Sequence, residues 1–434
     1  MAGGRFRDRI RRRLSIAAAL IAGLALAACV TPATGDAPPA PRPGGPVFSA
    51  GGASLDQYAG PDGTYAAANR RNWVGRAYVV DGLSRTDEIW PANTARRAAI
   101  PSVWKRPSTE PAIVYDGAAR LGSGRFTLDQ YLERNPTTGL IIAQGDSLLV
   151  ERYRYSRNDR HRLTSFSMAK TVIALLIGIA VDEGKIASIE DRADRYVPAL
   201  AGSEYGATPI RHLLTMSSGV KFREDYDGND DSARLGRATL ARQSAGGAAA
   251  ARLFNERIAE PGARWYYASG ETYVLALVLR ASIGRPIAEY LAEKIWQPIG
   301  AESDATWLVE ATGTEVGYMG LNAVLRDYAR LGMMLANGGK VGDRQVVPAA
   351  WLREATRAHF SRQQTGRGYG YGFQIWVFPD NDGSFALLGV RGQSIFVDPR
   401  RRLVMVHTAV RAEPRDPGAA DTLALWRAVK AMTF

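Results

Sequence analysis

The chain has 434 residues, of which 46% are hydrophobic and 23% are charged, as in ordinary folded proteins. This length is enough for one large domain or two. The formal net charge is +12, but residues 5–13 alone, with six arginines and one aspartate, supply five of these charges. The other seven are spread thinly over the chain, with no basic run beyond residues 400–402. Because nucleic-acid-binding surfaces concentrate positive charge in one patch, we expect no nucleic-acid partner.

The N-terminus has the pattern of an export signal. An arginine-rich head precedes the apolar run LSIAAALIAGLALAA, which is 15 residues long and too short for a transmembrane helix. This pattern predicts a cleaved signal peptide over residues 1–28. The end of the run, Leu26-Ala27-Ala28-Cys29, resembles the bacterial lipobox, in which the cysteine is lipidated and becomes the first mature residue. The alternative is ordinary cleavage beside an unrelated cysteine.

Residues 29–75 are predicted to form a tether and N-terminal extension. They include TPATGDAPPAPRPGGP, whose proline, glycine and alanine favour an extended chain that buries no core. Val30, rather than aspartate, follows Cys29, which by resemblance to known lipoprotein sorting indicates the outer membrane of a Gram-negative cell. The folded body, residues 76–434, then faces the periplasm. Cys29 is the only cysteine, so no intrachain disulfide is possible.

The first clear pattern in the folded body is a hairpin. Residues 139–153, GLIIAQGDSLLVERY, alternate like two strands joined by a turn at Gly145-Asp146. The string Gly-Asp-Ser-Leu is also the signature of one lipase family. The further polar landmarks of that family are missing, so Ser147 is predicted to lie in the hairpin.

The middle of the chain is predicted to be mostly helical, with long loops, from about 185 to 360. An earlier helix is predicted over 167–183, ended by Gly184. A second covers 208–219, with Thr208 as its cap, Pro209 at its first position and Gly219 after its end. The clearest helices of the remainder begin at residues 287 and 325.

The C-terminal part changes to strand patterns. Strands are predicted over 371–378, 384–399 and 403–410, with turns at 381–383 and 399–401, before an amphipathic helix over 418–432. Strands at both ends of the chain with helices between them predict an α+β fold. We expect one antiparallel sheet built from both ends of the chain, flanked by helices, with an inserted and mostly helical lobe.

One lysine stands near the start of the apolar 167–183 helix. Ser167 and Lys170 are three residues apart, so their side chains lie on one face of the helix. A lysine buried there is costly unless it is paired or its pKa is lowered by desolvation. A neutral lysine beside a serine is a base that activates a nucleophile. The alternative is that Ser167, or Ser165, caps the helix while the lysine reaches solvent.

Three ordered motifs resemble one known superfamily. They are Ser167-Met168-Ala169-Lys170, Tyr267-Ala268-Ser269 and GVRGQSIFVDP at 389–399. Over residues 135–430 the chain resembles the serine β-lactamase/penicillin-binding-protein superfamily, in particular its class C-like branch of 6-aminohexanoate-dimer hydrolases and related carboxylesterases. The resemblance implies a β-lactamase/transpeptidase-like fold.

The resemblance also implies roles for single residues. Ser167 would be the acylated nucleophile, Lys170 and Tyr267 would share the general base and acid work, and Ser269 would hydrogen-bond within that network. The backbone N–H groups of Ser167 and Val390 would form the oxyanion hole. From the residues alone, Tyr267 is either a phenol that serves as a base beside an ammonium group or a packed aromatic ring.

The third motif departs from relatives that process β-lactams. Those relatives carry Lys-Thr-Gly where this chain has Leu387-Leu388-Gly389, with the register fixed only to one or two residues. Gly389 would let the substrate approach the strand, and Arg391 is near enough in sequence to replace the lysine. This difference favours small esters or amides over β-lactams.

The acidic stretch REDYDGNDD at 223–231 has two interpretations. By resemblance, Tyr226 is a loop tyrosine that closes over the substrate; otherwise the stretch is a solvated surface loop. It does not fit a calcium-binding loop, because no glycine stands at the sixth position counted from Asp225.

The sequence therefore predicts a lipid-anchored serine hydrolase of the bacterial cell envelope. It would cleave a small ester or amide, or a peptide-like substrate, through an acyl-enzyme on Ser167, without cofactor or metal. The four histidines are scattered and no Gly-x-Ser-x-Gly elbow presents a serine. The alternatives are a cell-wall D-amino-acid peptidase or transpeptidase, a β-lactamase, and a non-catalytic wall-binding lipoprotein.

Overall fold

A computed structural model describes residues 64–118 and 124–433. The predicted signal peptide, Cys29 and most of the predicted tether lie outside these ranges. None of the helices within them is both long and apolar enough to cross a membrane.

The strands of the described ranges are numbered in chain order. They are β1 (Ala92–Ala95), β2 (Val114–Asp116), β3 (Arg125–Thr127), β4 (Thr137–Gln144), β5 (Ser147–Tyr153), β6 (Leu163–Thr164), β7 (Ala305–Leu308), β8 (Leu321–Ala323), β9 (Lys340–Val341), β10 (Arg344–Gln345), β11 (Gly370–Tyr371), β12 (Trp376–Val377), β13 (Phe385–Gly389), β14 (Gln393–Asp398) and β15 (Leu403–Ala409).

The helices of the same ranges are numbered in the same way. They are α1 (Val79–Gly82), α2 (Thr86–Ile89), α3 (Leu128–Arg134), α4 (Met168–Asp182), α5 (Ile210–Leu214), α6 (Asp231–Leu240), α7 (Gly247–Ala251), α8 (Ser269–Ile283), α9 (Ile287–Leu291), α10 (Leu325–Ala336), α11 (Ala349–Ala355), α12 (Arg362–Thr365) and α13 (Ala419–Ala431). A π-helical turn, Ala292–Trp296, continues α9, and Val390–Gly392 forms a 3₁₀ turn.

The central sheet is antiparallel and is built from both ends of the described body, as predicted. Its strand order is β11-β12-β13-β14-β15-β4-β5, so the C-terminal strand β15 pairs with the early strand β4. Successive residues of these strands alternate between two buried faces. Ile142 and Met405 pack against Trp426 of α13, whereas Ile141 and Val404 belong to the core that contains α10. The predicted hairpin of β4 and β5 is also present.

A second, smaller sheet takes two strands, β7 and β8, from the region predicted to be mostly helical, and two, β1 and β6, from before it. Its strands are β1-β7-β8-β6, all antiparallel and at most four residues long, which is too short for a clear alternating pattern. Leu163 pairs with Ala323 and Thr164 with Asn322. This sheet therefore fixes the chain immediately before α4.

Helix α4 is buried on nearly every side, in agreement with its apolar sequence. It packs against α8 and against α11. Gly178 makes the second contact possible, because a Cβ there would lie 2.3 Å from the ring of Trp351. The Trp351 indole also donates a hydrogen bond of 3.0 Å to the carbonyl of Ala174.

The predicted helix over 208–219 is much shorter in the structure. Helix α5 covers only Ile210–Leu214, and Thr208 does not cap it, because its hydroxyl donates to the carbonyl of Glu204 at 2.8 Å. The helix ends before Gly219 because the Gln374 side chain donates to the carbonyls of Leu213 and Leu214.

Two of the predicted C-terminal strands are interrupted. Gln374, at φ +57°, separates β11 from β12, and its carbonyl accepts a 2.7 Å hydrogen bond from the Thr171 hydroxyl of α4. Arg391 and Gly392, at φ +60° and +92°, turn the chain between β13 and β14. Backbone in this left-handed region cannot continue a strand. The other C-terminal predictions, β15 and α13, are confirmed to within a residue.

The close contact at Gly178 generates a stability prediction. We expect Gly178→Ala to lower the free energy of unfolding by about 1–3 kcal/mol, because the new methyl group pushes α11 away from α4. Urea titration followed by circular dichroism measures the change.

Gly236, in α6, is the matched control, since a Cβ there meets nothing within 4 Å. Gly236→Ala should raise the free energy of unfolding by about 0.5–1 kcal/mol through helix propensity. Equal effects of the two substitutions would contradict the packing described for Gly178.

Candidate active site

The chain makes a sharp turn immediately before α4. Phe166 has φ +42°, a conformation that is costly for an aromatic residue. Tertiary contacts hold it there: its ring stacks on Trp73, with ring centroids 5.8 Å apart, and the Ser165 N–H donates to the carbonyl of Leu321 at 2.8 Å. The turn places Ser167 at the N-cap position of α4.

Ser167 does not cap the helix with its side chain. The Lys170 ammonium nitrogen, Nζ, instead donates to Ser167 Oγ at 2.9 Å and to the carbonyl of Tyr318 at 2.9 Å. Ser165 is not a cap either, because its hydroxyl donates to the carbonyl of Phe166. Ser167 Oγ is therefore hydrogen-bonded to the Lys170 amine and not to the backbone N–H groups at the start of α4.

Lys170 is almost completely removed from water, with 1% of the residue exposed. Its nitrogen lies 5.1 Å from the ring centroid of Tyr267 and 5.7 Å from that of Tyr318. Burial lowers the pKa of Lys170 to about 8, although the charge of Glu224 acts in the opposite direction. A substantial share of the amine is therefore neutral near physiological pH.

Tyr267 lines the same cleft as Ser167, and the Ser167 hydroxyl acts to lower the pKa of its phenol. Burial and then the charge of Glu224 raise the pKa of Tyr267 well above its usual value, and the effect of Ser167 offsets only part of this. The ring stacks on Trp376 at 5.5 Å. A phenol in this environment stays protonated, so it is suited to donate a proton, and Lys170 is the better base.

A buried carboxylate, Glu224, organises the surroundings of this pair, although no sequence pattern pointed to its role. Only 3% of the residue is exposed. It accepts hydrogen bonds from the backbone N–H of Ser269 at 2.6 Å, from the Ser269 hydroxyl at 2.8 Å and from the Tyr226 hydroxyl at 2.7 Å. It lies in the acidic stretch 223–231, where the density of charge is typical of a solvated loop.

These groups open into a cleft with a volume of about 120 Å³. Its lining comes from the start of α4, from β12, from the end of β13 with the turn after it, and from four loops. It consists of Ser167, Tyr226, Tyr267, Arg367, Trp376, Leu388, Gly389, Val390 and Arg415. A Cβ on Gly389 would lie 2.5 Å from the carbonyl oxygen of Ser165. Only glycine therefore lets the end of β13 approach the start of α4 so closely, with Val390 next in the chain.

A comparison of the sequence with known protein families identifies the family that has this fold. The sequence profile described as Beta-lactamase matches residues 127–430, which is well over half of the chain. The chain belongs to the beta-lactamase family. This is a family of serine hydrolases with the β-lactamase fold, so the predicted fold class and superfamily are confirmed.

Several members of the family are similar to this chain over most of its length. The 6-aminohexanoate-dimer hydrolase of Paenarthrobacter ureafaciens is 27% identical over 384 residues, which cover 85% of this chain and 91% of the relative. The solved structure titled "Putative 6-aminohexanoate-dimer hydrolase from Bacillus anthracis" superposes with a TM-score of 0.72 at 23% identity, covering 86% and 97% of the two chains. The structure of EstCE1, a hydrolase with promiscuous acyltransferase activity, gives a TM-score of 0.53 at 19% identity over 69% of this chain and 96% of that chain.

Within this beta-lactamase fold, two residues predicted for the substrate site lie elsewhere. The Arg391 guanidinium donates to the carbonyls of Arg411 and Ala412, so it turns away from the cleft lining. Ser269 is buried beneath the cleft and is bonded to Glu224. The arginines that line the cleft, Arg367 and Arg415, stand in loops with no motif that distinguishes them in the sequence.

Proposed function

We propose that this chain is a serine hydrolase that cleaves a small ester or amide through an acyl-enzyme on Ser167. The observation that carries the proposal is the buried amine of Lys170, 2.9 Å from the Ser167 oxygen, with its pKa lowered to about 8. A group of this pKa is effective as a general base near neutral pH, since it is partly free and still basic.

Acylation would begin with proton transfer from the Ser167 hydroxyl to neutral Lys170. The serine oxygen then attacks the substrate carbonyl carbon, and the carbonyl oxygen becomes an oxyanion. We assign the backbone N–H groups of Ser167 and Val390 as its donors, supported by their common place in the cleft lining and by the positive end of the α4 dipole.

Collapse of the tetrahedral intermediate would expel the alcohol or amine, which takes a proton from the Tyr267 hydroxyl. The proton held on Lys170 then restores the phenol. In deacylation, Lys170 takes a proton from water as the water attacks the acyl carbon. The bond to Ser167 breaks, Lys170 returns the proton it took from water to Ser167 Oγ, and the carboxylic acid product leaves.

The third motif supports esters or amides over β-lactams. Leu387, at the position where β-lactam-processing relatives have a lysine, is fully buried, and Leu388 presents an apolar side chain to the cleft. The relation to a 6-aminohexanoate-dimer hydrolase agrees with this choice.

We also propose that the hydrolase is anchored to the cell envelope by a lipid on Cys29. The support is in the sequence alone: a lipobox-like Leu-Ala-Ala-Cys ending and a proline-rich stretch before the folded body. Val30 favours the outer membrane, with the body facing the periplasm.

Substitution of the nucleophile tests the proposed chemistry. Ser167→Ala should reduce kcat/KM for p-nitrophenyl esters by at least about a thousandfold, because the variant lacks the hydroxyl on which the acyl-enzyme would form. It should also abolish labelling by a fluorophosphonate probe, with an unchanged circular dichroism spectrum.

Ser147→Ala is the control, since Ser147 lies in the β4–β5 hairpin, outside the cleft lining, and its hydroxyl donates to its neighbour Asp146. It should retain activity and labelling. Peptide mapping of the labelled wild type to any residue other than Ser167 would refute the assignment.

Removal of the Glu224 charge tests the role of Lys170 as the base. The activity of the wild type should rise with pH as Lys170 loses its proton near pH 8. Because Glu224 raises the pKa of Lys170, Glu224→Gln should move this rise in kcat/KM to lower pH. A pH–rate profile with the p-nitrophenyl ester measures the shift.

Glu271→Gln is a matched control for this profile. Glu271 is also a buried carboxyl at the start of α8, but it bonds to Ser218 rather than to the tyrosines of the site. In this variant kcat/KM should rise over the same pH range as in the wild type. If kcat/KM of Glu224→Gln rises at the same pH as that of the wild type, Lys170 is excluded as the titrating base.

Expression in a Gram-negative host tests the anchor. The wild-type chain should incorporate radiolabelled palmitate and sediment with the membranes, whereas Cys29→Ser should do neither. Val30→Asp is the control for sorting: it should keep the label but move from the outer to the inner membrane. An unlabelled wild-type chain would rule out the lipid.

A further inference from the structure

The cleft carries positive charge at its rim and no negative charge in its lining. Of the residues that line it, Arg367 and Arg415 are charged, and none is an aspartate or a glutamate. The two arginines come from separate loops, Arg367 from the loop between α12 and β11 and Arg415 from the loop between β15 and α13. A cleft of this kind attracts anions.

Arg367 stands out because its charge is not neutralised by the protein. Within residues 64–118 and 124–433, its guanidinium has no hydrogen bond or ion pair, unlike the nearby Arg357, which pairs with Glu354. Gly366 and Gly368, at φ +64° and +80°, flank it and hold the loop in a tight turn. Its charge reaches the reaction centre, since it acts to lower the pKa of Tyr267.

Arg415 is held in place, yet it keeps most of its donors. One guanidinium nitrogen donates to the backbone carbonyl of Glu224 at 2.6 Å, and the guanidinium carbon lies 5.1 Å from the ring centroid of Tyr226. A guanidinium has five N–H donors. The guanidinium of Arg415 has no other hydrogen bond or ion pair within the described part of the chain, so the remaining donors of this residue, which lines the cleft, stay available.

We propose that Arg367 and Arg415 form an anion subsite, and that the preferred substrates are esters or amides that carry a carboxylate away from the scissile bond. The inference rests on the proposed hydrolase function of Ser167. A guanidinium binds a carboxylate through paired, charge-assisted hydrogen bonds. Trp376 and Leu388 supply apolar walls for the carbon chain between the carboxylate and the reacting carbonyl.

The proposed subsite is formed by loops, and not by the third-motif strand β13 that would carry a lysine in β-lactam-processing relatives. Leu387 is buried in the core, and Arg391 is occupied by backbone carbonyls, so β13 and its turn offer no free cation to the cleft. The substrate anion would instead be held by the two loops that border the cleft.

Paired substrates test the subsite at low ionic strength. On the acyl side, p-nitrophenyl hydrogen adipate is compared with p-nitrophenyl hexanoate, which has the same chain length without the carboxylate. On the leaving-group side, 3-acetoxybenzoate is compared with 3-acetoxybenzamide. We expect kcat/KM for the anionic member to exceed that for the neutral member by about tenfold or more in one of the two pairs.

Arginine substitutions test which residues produce the preference for anionic substrates. Arg367→Gln and Arg415→Gln should each reduce the anionic-to-neutral ratio by about threefold or more, and Arg367→Lys should keep part of the preference because the charge remains. Arg362→Gln, on the exposed face of α12 outside the cleft lining, should leave the ratio unchanged. Added salt should reduce the ratio in the wild type.

The outcomes separate the two proposals. Equal rates for both members of both pairs, in a wild type that is labelled on Ser167, would overturn the anion subsite and leave the hydrolase intact. A preference that survives in the Arg367→Gln/Arg415→Gln double variant would also overturn it. Failure of every ester together with absent Ser167 labelling would instead overturn the proposed function.

Discussion

The structure depends on placing one amine out of water beside one hydroxyl. Lys170 is buried in the middle of the protein, and its hydrogen bonds go to Ser167 Oγ and the Tyr318 carbonyl. An ammonium group in such a place is costly, and part of that cost appears as the lowered pKa. The large apolar body around α4 is what makes this placement possible.

Two buried polar side chains tie the segments around this pair together. The Gln374 side chain accepts a hydrogen bond from Thr272 of α8 and donates to the carbonyls at the end of α5. Its backbone carbonyl accepts from Thr171 of α4, so this one residue joins three helices. Glu224 links the start of α8 to Tyr226 at the cleft. Each is fully engaged in hydrogen bonds, which makes a buried polar group tolerable and fixes the positions of its partners.

Unusual backbone conformations and one close backbone contact also shape the site. Phe166, Gln374 and Arg391 adopt left-handed φ values beside the cleft, held there by packing and hydrogen bonds. Gly389 permits the close approach of β13 to the residue before Phe166. Strained or crowded backbone of this kind is stable only when the rest of the fold holds it.

The sequence by itself determined the local elements and the chemistry of the helix start. Alternation of residue types predicted the β4–β5 hairpin, an apolar run predicted α4, and the strand pattern predicted β15 but not the interruptions of the two strands before it. The spacing of Ser167 and Lys170 placed them on one helical face. Only the tertiary structure decided that Glu224 is buried, that Arg391 turns away while Arg367 and Arg415 face the cleft, and that α5 ends at Leu214. The physical reason is that burial and partners come from segments far apart in the chain, and neighbouring residues in the sequence carry no record of them.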